Sequence, residues 1–305
     1  MAQFGRRRPD RHVSADGKRG TVRFDDAGIT DPPLVFDGGV AAIDMFTLNR
    51  AGSGVSQLGF DIQLPQASDV ALPEVFDELC VVKVLPGPMV EATIDTKKMR
   101  WNVDSIKRGT FTDYTGRERY GVRFSHSEVL VFSGVGVASV PTKLADGRGL
   151  LMWFAEIPET TLDSLGYYGL YAKAAELTEK AAQRAYCQLL PADQITVPAQ
   201  QIKWVRKLDE ILRVNRPQIE DIVQRVYMAL DETGVRVKAV TTIRAMGAPM
   251  GWEPPMNYQF GEKHPVVMWL TQPGSTLPFA VVATKADAWL DPGADVSFTA
   301  AAFTH

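Results

Sequence analysis

At 305 residues, with 45% hydrophobic and 23% charged side chains, the chain has the composition of a globular protein large enough for one big domain or two ordinary ones. No stretch approaches the about 20 consecutive apolar residues that span a bilayer. The basic N-terminus, MAQFGRRRPDRHVSADGKRG, has neither an apolar segment behind it nor a lipidation signal, so a cytosolic protein is the expectation. The net charge of −3 is unevenly spread: residues 1–23 and 97–124 each carry +5, which leaves the remainder at −13. Such a layout fits a polyanion partner or attraction between copies of the chain.

Residues 1–30 read as a basic extended arm. They are polar, hold Arg6, Arg7, Arg8 and Arg11, and lack the apolar content to form a core of their own. Residues 31–160 read as a β-rich region. VVKVL (81–85) and MVEATI (89–94) are short strand-like runs around Pro86-Gly87-Pro88. AGSGVSQLG (51–59) is glycine-rich but has neither the Lys-Ser/Thr pair of a phosphate loop nor GxGxxG spacing, so it reads as a flexible turn.

The stretch 97–124, KKMRWNVDSIKRGTFTDYTGRERYGVRF, predicts a charged hairpin turning at Tyr114-Thr115-Gly116. Its second arm alternates: Tyr120, Val122 and Phe124 face a core while Arg119 and Arg123 face water. Lys97, Lys98, Arg100, Lys107, Arg108, Arg117, Arg119 and Arg123 are therefore candidate contacts to phosphate or to an acidic partner surface. The aromatic residues lie on the core side, which disfavours base stacking. SHSE (125–128) reads as a turn, followed by buried strands in VLVFSGVGVASV and LLMWFAEI.

A helical block is expected over about 161–233. Thr161 is a candidate N-cap, and Leu165, Tyr168, Ala172, Ala175, Ala182, Ala185 and Leu189 follow at helical steps, with Glu176 and Lys180 as a surface pair. Ile202, Val205, Leu208 and Leu212 form the stripe of a second helix. Pro217 opens a third, with Ile219, Ile222, Val223, Val226, Ala229 and Leu230 inward and Gly234 at its C-terminal cap. Strands return over 235–305 in VRVKAVTTIRAM, HPVVMWLTQ, LPFAVVATKADAWL and DVSFTAAAF. Between them GAPMGWEPPMNYQFGEKHP offers Met250, Trp252, Met256 and Tyr258 as an apolar contact loop. The fold class expected is α+β: a β-rich N-terminal half, the central helical block, and a C-terminal mixed sheet completing the core.

No motif names a catalytic centre. There is no HExxH and no GxSxG, and Cys80 and Cys187 have no ligand-spaced neighbours and read as buried reduced thiols. His126 and His264 could meet a carboxylate only through folding, and the carboxylate pairs at 209–210, 220–221 and 231–232 read as helix surface charge. No catalytic residue, metal or cofactor is expected. The order of basic arm, extended hairpin, long helix and mixed sheet resembles that of tailed-phage coat proteins. That resemblance implies a self-assembling virion subunit whose copies exchange arms and hairpins, with packaged DNA against one face. A nucleic-acid-binding accessory protein, gripping phosphates without reading bases, is the alternative, and an enzyme of unfamiliar class the next.

Overall fold

The computed structural model describes residues 31–58, 73–86, 89–184, 187–207, 223–240 and 257–303. The chain there is dominated by strands: β1 Val40–Ile43, β2 Val81–Leu85, β3 Met89–Trp101, β4 Ile106–Thr112, β5 Glu118–Phe132, β6 Val135–Lys143 and β7 Gly149–Glu156 in the first half. Then come β8 Gln188–Pro198, β9 Gln200–Lys207, β10 Val223–Asp231, β11 Gly234–Val240, β12 Asn257–Gln259, β13 Val266–Thr271 and β14 Phe279–Thr284. The helices are α1 Met45–Gln57, α2 Glu74–Leu79, α3 Glu159–Asp163 and α4 Tyr167–Gln183.

Hydrogen bonding runs in the order β1-β14-β13-β7-β6-β3-β11-β10-β9, with β2 beside β3 and a side group of β4, β5, β8 and β12. Two blocks meet at a short corner, where Arg100 and Trp101 of β3 pair with Lys143 and Thr142 of β6. VVMWLT of β13 and FAVVAT of β14 are buried at every position, as strands covered on both faces must be. Helix α4 closes one side; Trp269 Nε1 donates to Thr178 Oγ1 at 2.8 Å. Helix α1 starts at the N-cap Asp44, and Gln224 of β10 brackets that residue by accepting from its N–H and donating to its C=O.

The expected helical block is overturned. Among its described residues only the end of α3, Glu159–Asp163, and α4, Tyr167–Gln183, are helical; 188–198, 200–207 and 223–231 are strands. In QQIKWVRK the burial alternates, with Ile202 and Trp204 inside and Lys203 and Val205 outside. The stripe of Ile202 and Val205 coexisted with this period of two, and pairing with β10 decided in favour of the strand. In VQRVYMALD, β-branched and aromatic residues favour the same outcome, and Gly234 opens β11 after a tight turn rather than capping a helix. Leu208, Leu212, Pro217, Ile219 and Ile222 lie outside the described residues. Thr161 lies within α3, and α4 begins after Gly166. The fold is thus β-dominant, not a coat-protein-like arrangement of sheet and helices.

Smaller corrections follow the same logic. Residues 51–57 are the second half of α1, not a flexible turn. A Cβ at Gly54 would sit 2.6 Å from Val90 Cγ1, so the glycine lets the helix approach β3. SHSE lies inside β5, and VLVFSGVGVASV is the end of β5, a Ser133-Gly134 turn and the start of β6. DVSFTAAAF holds no strand; only a turn of 3-10 helix forms at Ala301–Phe303. The expected strands at 81–85, 89–94 and 150–157 are present as β2, the first part of β3 and β7, as is the hairpin turn at 114–116.

Candidate functional site

The hairpin shows where the basic charge goes. Tyr120, Val122 and Phe124 do face the core. Arg119, expected in water, is 5% exposed. Its Nε donates to Asp113 Oδ2 at 2.8 Å, and its Nη1 reaches Asp291 at 2.9 Å and the Trp289 carbonyl at 3.1 Å. Asp113 is enclosed by further donors: Oδ1 accepts from Thr115 N, Thr115 Oγ1 and Arg117 N. Burial works to raise the Asp113 pKa, but the Arg119 and Thr115 hydrogen bonds outweigh it and hold the carboxyl below its ordinary value. The strand alternation was read correctly; what alternation could not show is that the outward face at Arg119 is covered by residues 289–291.

Arg108 lies 4.1 Å above the Tyr120 ring, pairs with Asp295 at 3.5 Å and with Glu232 at 3.9 Å, and donates to the Ala294 carbonyl. Tyr120 in turn donates its hydroxyl to Glu232. Lys97 is exposed and pairs with Asp95 at 2.7 Å. Lys98 reaches Thr233 Oγ1 and stands 4.0 Å over the Phe298 ring. Arg123 is half-buried beside Gly109, with no hydrogen-bond partner for its Nε among the described residues. Arg100, Lys107 and Arg117 are exposed. Three of the eight hairpin cations, Lys97, Arg108 and Arg119, are thus met by the chain's own acidic groups, the last two also by carbonyls of its C-terminal segment. Arg6, Arg7, Arg8 and Arg11 lie outside the described residues, as do Met250, Trp252 and Met256.

Tyr258 is described, and it is an anchor. It sits in β12, paired with Ile195 of β8, and its hydroxyl donates to Glu156 Oε2 at 2.9 Å. Burial, with Glu156 beside it, pushes its pKa upward. Glu156, 2% exposed at the end of β7, accepts at Oε1 from the N–H groups of Gly261, Lys263 and His264 at 3.2, 2.8 and 3.1 Å. One buried carboxylate thus folds the whole stretch 258–264 around itself. Sequence reasoning missed Glu156 because AEI at the end of an apolar strand gives no sign of what the glutamate faces.

The other support of the 241–256 stretch is β11, which lies inside the sheet between β10 and β3. Thr96 Oγ1 both donates to Val237 O at 2.9 Å and accepts from Val237 N at 3.1 Å, patching the bulge in the β11–β3 ladder. Next to it Arg236 forms a two-pronged pair with Asp95, at 3.1 and 2.7 Å. Burial opposes ionisation of Asp95, and the bonds from Arg236 and Lys97 more than offset it, so its pKa is lowered.

Among the described residues no group of three or more His, Cys, Asp or Glu could hold a metal ion, and no helix is long and apolar enough to cross a membrane. Cys80 and Cys187, expected to be buried, are only half-buried. His264 contributes its backbone N–H to Glu156; His126 lies in β5, with its side chain outside what is described.

No family model and no curated protein matches the chain. Solved structures similar to it are serpins. A cleaved serpin 42Da is 13% identical at a TM-score of 0.43, over 83% of this chain and 68% of that one. The mouse protein-Z-dependent protease inhibitor is 11% identical at 0.38, over 61% and 50%. The thermophilic serpin tengpin in its latent state is 10% identical at 0.36, over 67% and 58%. The chain thus spans between half and about two thirds of the lengths of these structures, and at these scores no activity passes from them to it. The long helix of the coat-protein likeness is present as α4, but strands dominate the described residues, so the virion-subunit reading is overturned.

Proposed function

We propose that the chain is a non-catalytic protein-binding module that offers residues 241–256 to a partner protein, and that the partner is a peptidase. The observation that carries this reading is the pair of supports. The stretch TTIRAMGAPMGWEPPM leaves β11, locked between two strands, and enters β12, locked to β8 and to the Glu156 hub. A peptide held at both ends has already lost much of the freedom that binding would take away. A peptidase cleft takes a peptide by strand addition and reads its side chains in pockets. Arg244, Met246, Met250 and Trp252 are side chains of the long or bulky kind that fill such pockets.

The test is complex formation. The full chain is mixed with a trypsin-like and a chymotrypsin-like peptidase, each inactivated at its nucleophile, and the mixture is run on a sizing column. Co-elution with one of them, lost when Arg244, Met246, Met250 and Trp252 are all replaced by Ser, supports the reading. Independent elution from both contradicts it.

A further inference from the structure

The β4–β5 hairpin carries two cations that the chain itself leaves without a counter-charge. Register sets Lys107 of β4 directly opposite Arg123 of β5, and Arg123 opposite Thr196 of β8 on its other side. Like charges that face each other across a ladder repel. Among the described residues neither side chain has an ion pair or a hydrogen bond. Asp104, just before Ser105, pairs with neither of them, and nor does Glu262, which Gln259 of β12 meets at 3.5 Å.

Beside this pair the face has a gap. Gly109 and Gly121 stand opposite each other, the next pair along on the same side of the sheet. A Cβ at Gly121 would meet Thr196 Cγ2 at 2.6 Å and Phe111 Cδ1 at 3.1 Å, and one at Gly109 would lie 3.5 Å from Arg123 Nη2. The Arg123 side chain therefore lies back over Gly109 instead of reaching straight into water. Its Nε is buried and has no acceptor, while the residue as a whole is half-buried. An arginine kept only for solubility would not surrender the water on its Nε–H, because an unmet buried donor is costly. Held in the gap, the guanidinium has a fixed orientation on the side of the sheet that Lys107 shares.

We infer that Lys107 and Arg123 bind the phosphate group of a small phosphate monoester. Two unpaired cations side by side match one dianion, and a monoester phosphate carries about −1.5 to −2 at pH 7. The guanidinium takes two phosphate oxygens through parallel N–H bonds, and the ammonium takes a third as a point charge. A phosphodiester brings a single negative charge, and the aromatic side chains of β5 beside the site, Tyr120 and Phe124, are buried on the opposite face. Nucleic acid is thus the poorer match. The site is separate from the 241–256 stretch and does not rest on that reading.

The test uses the full chain and phenyl phosphate, followed through the proton–nitrogen correlation signals of the arginine Nε–H groups. The Arg123 signal, identified by its absence from R123K, should move on titration and level off. K107Q should weaken binding by about tenfold. R123K should weaken it by about as much, because lysine keeps the charge and loses the fork. R117Q, at the hairpin turn, should leave binding unchanged. Methyl phenyl phosphate, a monoanionic diester, should bind about tenfold more weakly than phenyl phosphate. Circular dichroism and urea midpoints check that the variants fold; should R123K fail to, K107Q alters an exposed side chain and carries the test alone. An Arg123 signal that stays in place, K107Q binding as tightly as the unaltered chain, equal binding of the diester, or tighter binding of a single-stranded DNA oligonucleotide through the same two residues would each overturn the proposal.

Discussion

Arg119 and Asp113 form a 2.8 Å ion pair within a segment that reads, in sequence, as a solvated ribbon; their side chains are 6% and 0% exposed. The pair fixes the hairpin turn through Asp113 and the approach of residues 289–291 through the other arm of Arg119. A charge that would otherwise call for a partner is satisfied within the subunit.

Removing one member should therefore be worse than removing both. Arg119→Met leaves Asp113 buried without its cation and should cost about 3–5 kcal/mol, whereas the double change Arg119→Met/Asp113→Leu should recover much of that loss. Urea unfolding of the three proteins measures both effects. Equal losses for the single and double variants would place the stabilisation elsewhere.

The acid limb of stability follows from Asp113 and Asp95, both held below their ordinary values by guanidinium bonds that outweigh burial. For a carboxyl whose folded pKa is depressed, the stabilisation is present in full above the unfolded pKa, near 4, and is lost as pH falls through the folded value. The urea midpoint should thus drop as pH falls below about 5. Asp95→Asn should start lower and flatten that drop; an unchanged slope would contradict the assignment.

Gly54→Ala should destabilise despite alanine's better helix propensity. The added methyl meets Val90 Cγ1 at 2.6 Å, on a stiff β-branched side chain in β3. The overpacking should cost about 1–3 kcal/mol. Val90→Ala in the same protein should relieve the clash, which a double-mutant cycle by thermal melting would show as coupling.

Glu156→Leu removes the acceptor of three backbone N–H groups and of the Tyr258 hydroxyl. Leaving those donors buried and unpaired should cost about 3 kcal/mol or more, since each is worth roughly 1–3. Hydrogen exchange should locate the loss at Gly261, Lys263 and His264. The variant should also capture a peptidase less well, because one support of the 241–256 stretch goes with it. Unaltered protection at those three amides would contradict the hub.

What the sequence shows of this fold divides by how local the cause is. Helix 167–183 and the β4–β5 hairpin are legible because their periods and turn residues are unambiguous over a single stretch. Ile202, Val205, Leu208 and Leu212 satisfy a helical stripe while Ile202 and Trp204 alternate with Lys203 and Val205; only the partner strand, β10, breaks that tie. The same tie hid the stack at Tyr227: Lys203, Tyr227 and Lys238 are scattered until β9, β10 and β11 lie in register. Of the expected contact loop, Met250, Trp252 and Met256 lie outside the described residues, and Tyr258 is an anchor. The Glu156 hub that anchors Tyr258 was not legible, because a buried carboxylate and a surface one look alike in sequence.

The central claim is that residues 241–256 are offered to a peptidase from two fixed supports. Its most direct test is a titration of residual activity, in which a trypsin-like and a chymotrypsin-like peptidase are each incubated with increasing amounts of the full chain. The account predicts that one of them loses activity in proportion to added chain, with the chain contacted or cut within 241–256 by mass spectrometry, and that a Gly/Ser replacement of that stretch abolishes the loss. Full activity of both peptidases at excess chain, or inhibition that survives the replacement, would contradict it.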